Sequence, residues 1–104
     1  MNYRGKVTVD DMREGINCLR RLGELLGKDS LIYRHAIDGI NTGMNTDIEA
    51  AFTDDHIFEC FVAEALIQCL MNGYYVDITD VKNGFKTEKF RNIACEYAAK
   101  YGIV

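Results

Sequence analysis

The sequence predicts a mainly α-helical fold, a compact bundle of about four helices around a central apolar helix over residues 54–72. Three observations predict it. Apolar residues recur at helical spacing through several long segments. The stretch 54–72 is apolar almost all round, as a helix buried on several sides must be. Strand-like alternation is confined to Lys6–Val9 and Tyr74–Ile78, enough for one short two-stranded β ribbon. At 104 residues, 48% hydrophobic and without proline, the chain suits one helical domain over residues 1–104.

The first helix is expected from Asp10 to Gly27. Met12, Ile16, Leu19, Leu22 and Leu26 form its stripe, which Cys18 and Leu25 widen. Gly15 and Gly23 fall inside that stripe, where glycine costs helix stability unless a neighbour needs close approach. Ser30 is the cap of a second helix over Leu31 to about Ile40. A Gly/Asn/Thr-rich stretch suited to turns follows, then a short helical turn from Asp47 to Phe52. Thr53 or Asp54 caps the central helix, which stops at Gly73. Thr79 caps a short turn through Asn83-Gly84. Thr87 then caps a last helix to Tyr101, with Phe90, Ile93, Ala94, Tyr97, Ala98 and Tyr101 on one stripe. The four cysteines form no CxxC pair and are expected as reduced core residues.

Residues 38 to 49 read DGINTGMNTDIE, with Asp38, Gly43 and Glu49 where an EF-hand calcium loop has its first, sixth and twelfth residues. Coordination fails at the third and fifth positions, filled by Ile40 and Thr42. The eighth position, usually apolar, is Asn45. His56, Cys60 and Glu64 stand four apart on one helix face, but three ligands in a row on one helix rarely converge on a tetrahedral metal. No metal site and no cofactor are expected. GxSxG, Walker and GxGxxG motifs are all missing, so nothing marks the chain as an enzyme.

Charge is more informative. The net charge is −4, yet no lysine or arginine occurs between Arg34 and Lys82, and both flanking segments are net positive. Asp38, Asp47, Glu49, Asp54, Asp55 and Glu59 fall in that interval and are the candidate partner-binding face, suited to a protein with a basic surface. The competing expectation is that the basic ends fold back and neutralise it. A second candidate set is Lys82, Lys86, Lys89 and Arg91, placed around a glycine turn and a helix start in a helix-turn-helix-like outline. Those four would contact nucleic acid, though the chain as a whole is acidic.

MNYRGKVTVDDM at the N-terminus has no apolar run of a secretory signal, and Ile57 to Met71 is too short and polar to span a bilayer. A cytoplasmic location is therefore expected, without membrane contact. The functional expectation is stoichiometric binding to another macromolecule as an inhibitor, adaptor or regulator. By analogy, a compact acidic chain suits a phage or mobile-element inhibitor of a nucleic-acid-handling host complex. Homo-oligomerisation through the apolar helix at 54–72 is the other association this pattern allows.

Overall fold

The first four α-helices each begin where a short polar side chain satisfies an early amide. The computed structural model describes residues 4–100 and is mainly α-helical. Helix α1 spans Val9–Leu26 behind a capping box, in which Thr8 accepts from the Asp11 amide and Asp11 accepts from the Thr8 amide. A second carboxylate reaches the same end: the Val9 amide donates to Asp80 at 2.9 Å. This capping draws Val9 into the helix and shortens the expected ribbon. What remains is one parallel bridge between Lys6 and Tyr75, supported by Val7 N to Tyr75 O at 2.9 Å and Tyr75 N to Gly5 O at 2.8 Å. The partner segment is cut short in the same way, because Asp77, not Thr79, caps the next helix. Among the described residues no strand forms.

Gly27, at φ 89°, ends α1 in a conformation that disfavours a side chain. Helix α2 covers Leu31–Met44 behind Ser30 and stops at Asn45 in the left-handed region, φ 52° and ψ 56°. It therefore runs four residues beyond the expected end and takes up the first part of the turn-like stretch. Ile37, Ile40 and Met44 keep helical spacing against the core, and that packing overrides the low propensity of Gly39 and Gly43. A 3-10 turn over Ile48–Phe52 follows, capped by Asp47 and pinned where the Ile48 amide donates to the Asn41 side chain at 2.7 Å.

Helix α3, Asp55–Met71, is capped by Asp54, which accepts from the His56 and Ile57 amides. It is the centre of the fold and packs against α1, the 3-10 turn and the last helix. Phe61, Val62, Ala63, Leu66 and Leu70 are buried. Met71, 53% exposed, is the one large apolar side chain of α3 left open. Helix α4, Ile78–Gly84, is a full helical element rather than a turn, and α5 covers Glu88–Lys100. Phe90 and Ala94 are buried as expected and Ile93 is half-buried. The side chains of Tyr97 and Ala98, and Tyr101 altogether, lie outside the described residues.

Two glycines make close approach possible. A Cβ on Gly23 would stand 2.6 Å from the Tyr33 ring, and one on Gly84 2.7 Å from Val9. Gly15, by contrast, faces open space. Cys18 is exposed, against expectation, because it lies about 200° round the helix from buried Ile16. Cys60, Cys69 and Cys95 are free and half-buried.

Candidate partner-binding surface

The acidic residues divide into two groups on folding. Glu59 is turned inward and only 6% exposed. It stands on the same face of α3 as Val62 and Leu66, and accepts both oxygens' worth of hydrogen bonds from Arg13 of α1, at 3.1 and 3.0 Å. Burial of this carboxylate is tolerable because one guanidinium nitrogen, Nη2 of Arg13, bridges both its oxygens, and the guanidinium stands over the Phe85 ring. Glu59 is thus a structural strut and leaves the exposed set.

Glu49 is half-buried and also engaged. Arg34 approaches it to 2.7 Å and the Tyr33 hydroxyl donates to it at 3.1 Å. The Arg34 hydrogen bond, reinforced by that of Tyr33 and opposed by burial, holds the Glu49 carboxyl below the usual carboxylate range. Burial, and then the bond to Glu49, pushes the Tyr33 hydroxyl above its ordinary value. The expectation that the basic ends neutralise the acidic interval therefore holds for Glu49 and Glu59.

Asp38, Asp47, Asp54 and Asp55 remain exposed. Among the described residues, none of the four forms an ion pair with a lysine or arginine. Asp47 and Asp54 cap the 3-10 turn and α3, one at each end of a five-residue element, and Asp55 opens the first turn of α3. Local capping fixes Asp47 and Asp54 in place, the helix dipole favours Asp55 in the first turn, and all three stay open to solvent. Asp38 stands apart, on the outer face of α2 beside Leu31, Ile32 and His35.

In the basic set, Lys82, Lys86 and Lys89 are exposed. Arg91 is not available in the same way: it is half-buried, and its guanidinium donates back to the Phe85 carbonyl at 3.2 Å. Lys86 borders a hollow of about 360 Å³ that Arg13, Arg20, Asp55 and Glu59 also line, so the two candidate sets meet there. The His56 ring packs on Phe90, with centroids 5.3 Å apart, instead of turning toward Cys60 and Glu64. Among the described residues no three His, Cys, Asp or Glu side chains gather around a common point. Burial, with Glu64 adding to it, pushes the Cys60 thiol up, and burial does the same to Cys69. Neither thiol is activated as a nucleophile.

Sequence reasoning missed an apolar surface. Leu25, Leu31 and Ile32 are 82%, 86% and 67% exposed around the α1–α2 connection. Between α1, α2 and α3 lies an apolar groove of about 250 Å³. The helical stripe of α1 was the available signal, since it is wider than one packing partner needs. Among the described residues, no helix is long and apolar enough to cross a membrane. No family model matches the chain, and neither does any curated protein or solved structure.

Proposed function

We propose that the protein binds another macromolecule stoichiometrically, as an inhibitor, adaptor or regulator, through the acidic surface around the start of α3. The observation that supports this reading is the survival of Asp47, Asp54 and Asp55 as exposed carboxylates without an ion-pair partner, after folding has consumed Glu49 and Glu59. Such a surface steers a basic partner over about a Debye length and rejects acidic ones. The fitting partner is a protein with a basic surface, such as the nucleic-acid channel of another molecule.

Immobilised protein should retain a host protein in fixed ratio and release it as salt rises. Reversal of Asp54 and Asp55 to lysine should abolish retention without lowering the thermal midpoint by more than the lost cap explains. Retention untouched by both reversals sinks the reading.

A second reading keeps the nucleic-acid set in view, because α4, a three-residue turn and α5 present Lys82, Lys86 and Lys89 to solvent together. It predicts a duplex mobility shift at low salt that Lys86→Glu with Lys89→Glu removes. The acidic-surface reading predicts no shift for either protein.

A further inference from the structure

Helix α2 packs on α1 and on the 3-10 turn, but its backbone does not approach α3. The gap is the groove of about 250 Å³, walled by Met12, Leu19, Ile40, Met44 and Ala65 over Phe61. Met12, Leu19, Ile40 and Met44 lie against the core yet stay only partly buried. Gly15 opens the α1 wall, and a Cβ there would meet nothing within 4 Å.

The rim of this trough has one sign. Asp11 borders it, Asp47 precedes Ile48 at one end, and Glu64 precedes Ala65 on the α3 wall. All three are exposed, none is ion-paired among the described residues, and no lysine or arginine lines the groove. We propose that this groove seats an amphipathic helix of a partner protein, its apolar face on Met12, Leu19 and Ile40 and its lysines or arginines against Asp11, Asp47 and Glu64. The proposal deepens the acidic-surface reading and rests on it for the charge of the partner.

Three arguments select that occupant. The groove is walled by helices and offers no strand edge, so an extended peptide would leave its amides unsatisfied, whereas a helix satisfies its own. The unbranched Met12 and Met44 side chains adapt to an incoming apolar row. A second copy of this chain would bring one acidic rim against another in a two-fold contact.

The test uses the full chain and three synthetic helices of about four turns. One carries leucines at helical spacing with lysines elsewhere, one the same residues scrambled, and one glutamates in place of the lysines. Methyl NMR reads binding. The leucine–lysine helix should shift Met12, Leu19, Ile40 and Met44, with the other two binding about tenfold or more weakly.

Gly15→Phe should fill the groove and weaken the leucine–lysine helix about tenfold or more, while the free protein keeps its thermal midpoint because a glycine has left a helix. Glu64→Lys, a surface change, should weaken binding by about threefold. Groove methyls that do not move, or binding indifferent to both variants, overturn the proposal. Self-association of the free chain that Gly15→Phe abolishes overturns it too, by placing a second copy in the groove.

The two readings fail separately. A salt-sensitive partner lost on reversing Asp54 and Asp55 but retained by Gly15→Phe, with unshifted groove methyls, removes the groove and leaves the acidic surface. Helix binding lost in Gly15→Phe, with partner capture indifferent to the Asp54 and Asp55 reversals, does the opposite.

Discussion

Two glycines of α1 make opposite demands on their surroundings. At Gly23 the Tyr33 ring, itself only 1% exposed, occupies the space a methyl group would need. Gly23→Ala should therefore destabilise by about 2 kcal/mol, read as a fall in the denaturation midpoint. At Gly15 nothing opposes the methyl, and Gly15→Ala should stabilise by about 1 kcal/mol through the backbone alone. Both positions were readable from the sequence as glycines within an apolar stripe. Which of them a second helix crosses was not, because helical phase says nothing about where another chain segment passes. Glu59 shows the same limit. Its spacing from Val62 and Leu66 placed it on a buried face, but a carboxylate is assigned to water unless its partner is known. Arg13 lies 46 residues away in sequence. Removing either charge alone, as in Arg13→Met or Glu59→Met, should cost about 3 kcal/mol. The double variant should cost much less than the two together, since neither charge is then left buried and unpaired. Additive losses in urea titrations would mean that the two side chains do not depend on each other.

At the scale of elements, the contact of Arg34 and Tyr33 with Glu49 fastens α2 to the 3-10 turn, and pH acts on it from both sides. The Glu49 carboxyl is lowered in the folded chain, so its stabilising contribution is complete above the ordinary carboxylate pKa and is lost as pH falls through the folded value. The Tyr33 hydroxyl is raised, so its contribution is complete below the ordinary tyrosine pKa and disappears as pH climbs through the folded value. Thermal midpoints measured against pH should fall on both flanks. Glu49→Gln should lower the neutral-pH midpoint and flatten the acid side; an unchanged acid flank would mean the contact contributes nothing. Helix starts at Ser30 and Asp54 were readable from their side chains, because capping is a local interaction. The end of α2 was not. Gly39, Gly43 and Asn45 carry turn chemistry, and only the packing of Ile40 and Met44 on other elements carries the helix to Met44.

Across the whole molecule, the central place of α3 followed from a pattern apolar almost all round, and that is a property a sequence displays directly. The groove is different in kind: it is a gap between three elements, and no single segment encodes it. Surface charge lies between these cases. The interval without positive residues was plain, whereas its partial neutralisation by Arg13 and Arg34 needed the fold. Raising salt should therefore have little effect on the stability of the Asp10–Arg13 and Arg20–Glu24 pairs at the surface and a large effect on association through Asp47, Asp54 and Asp55.

Because among the described elements α2 is held by α1 and the 3-10 turn, it has fewer neighbours to lose than α3 when the structure opens locally. Hydrogen–deuterium exchange should report this as a difference in protection, with amides from Gly39 to Met44 exchanging well before those from Val62 to Leu66. Equal protection would mean that the chain opens only as one cooperative unit. A wall that opens independently makes the width of the space behind it a matter of equilibrium, set by whatever is most favourable to enclose.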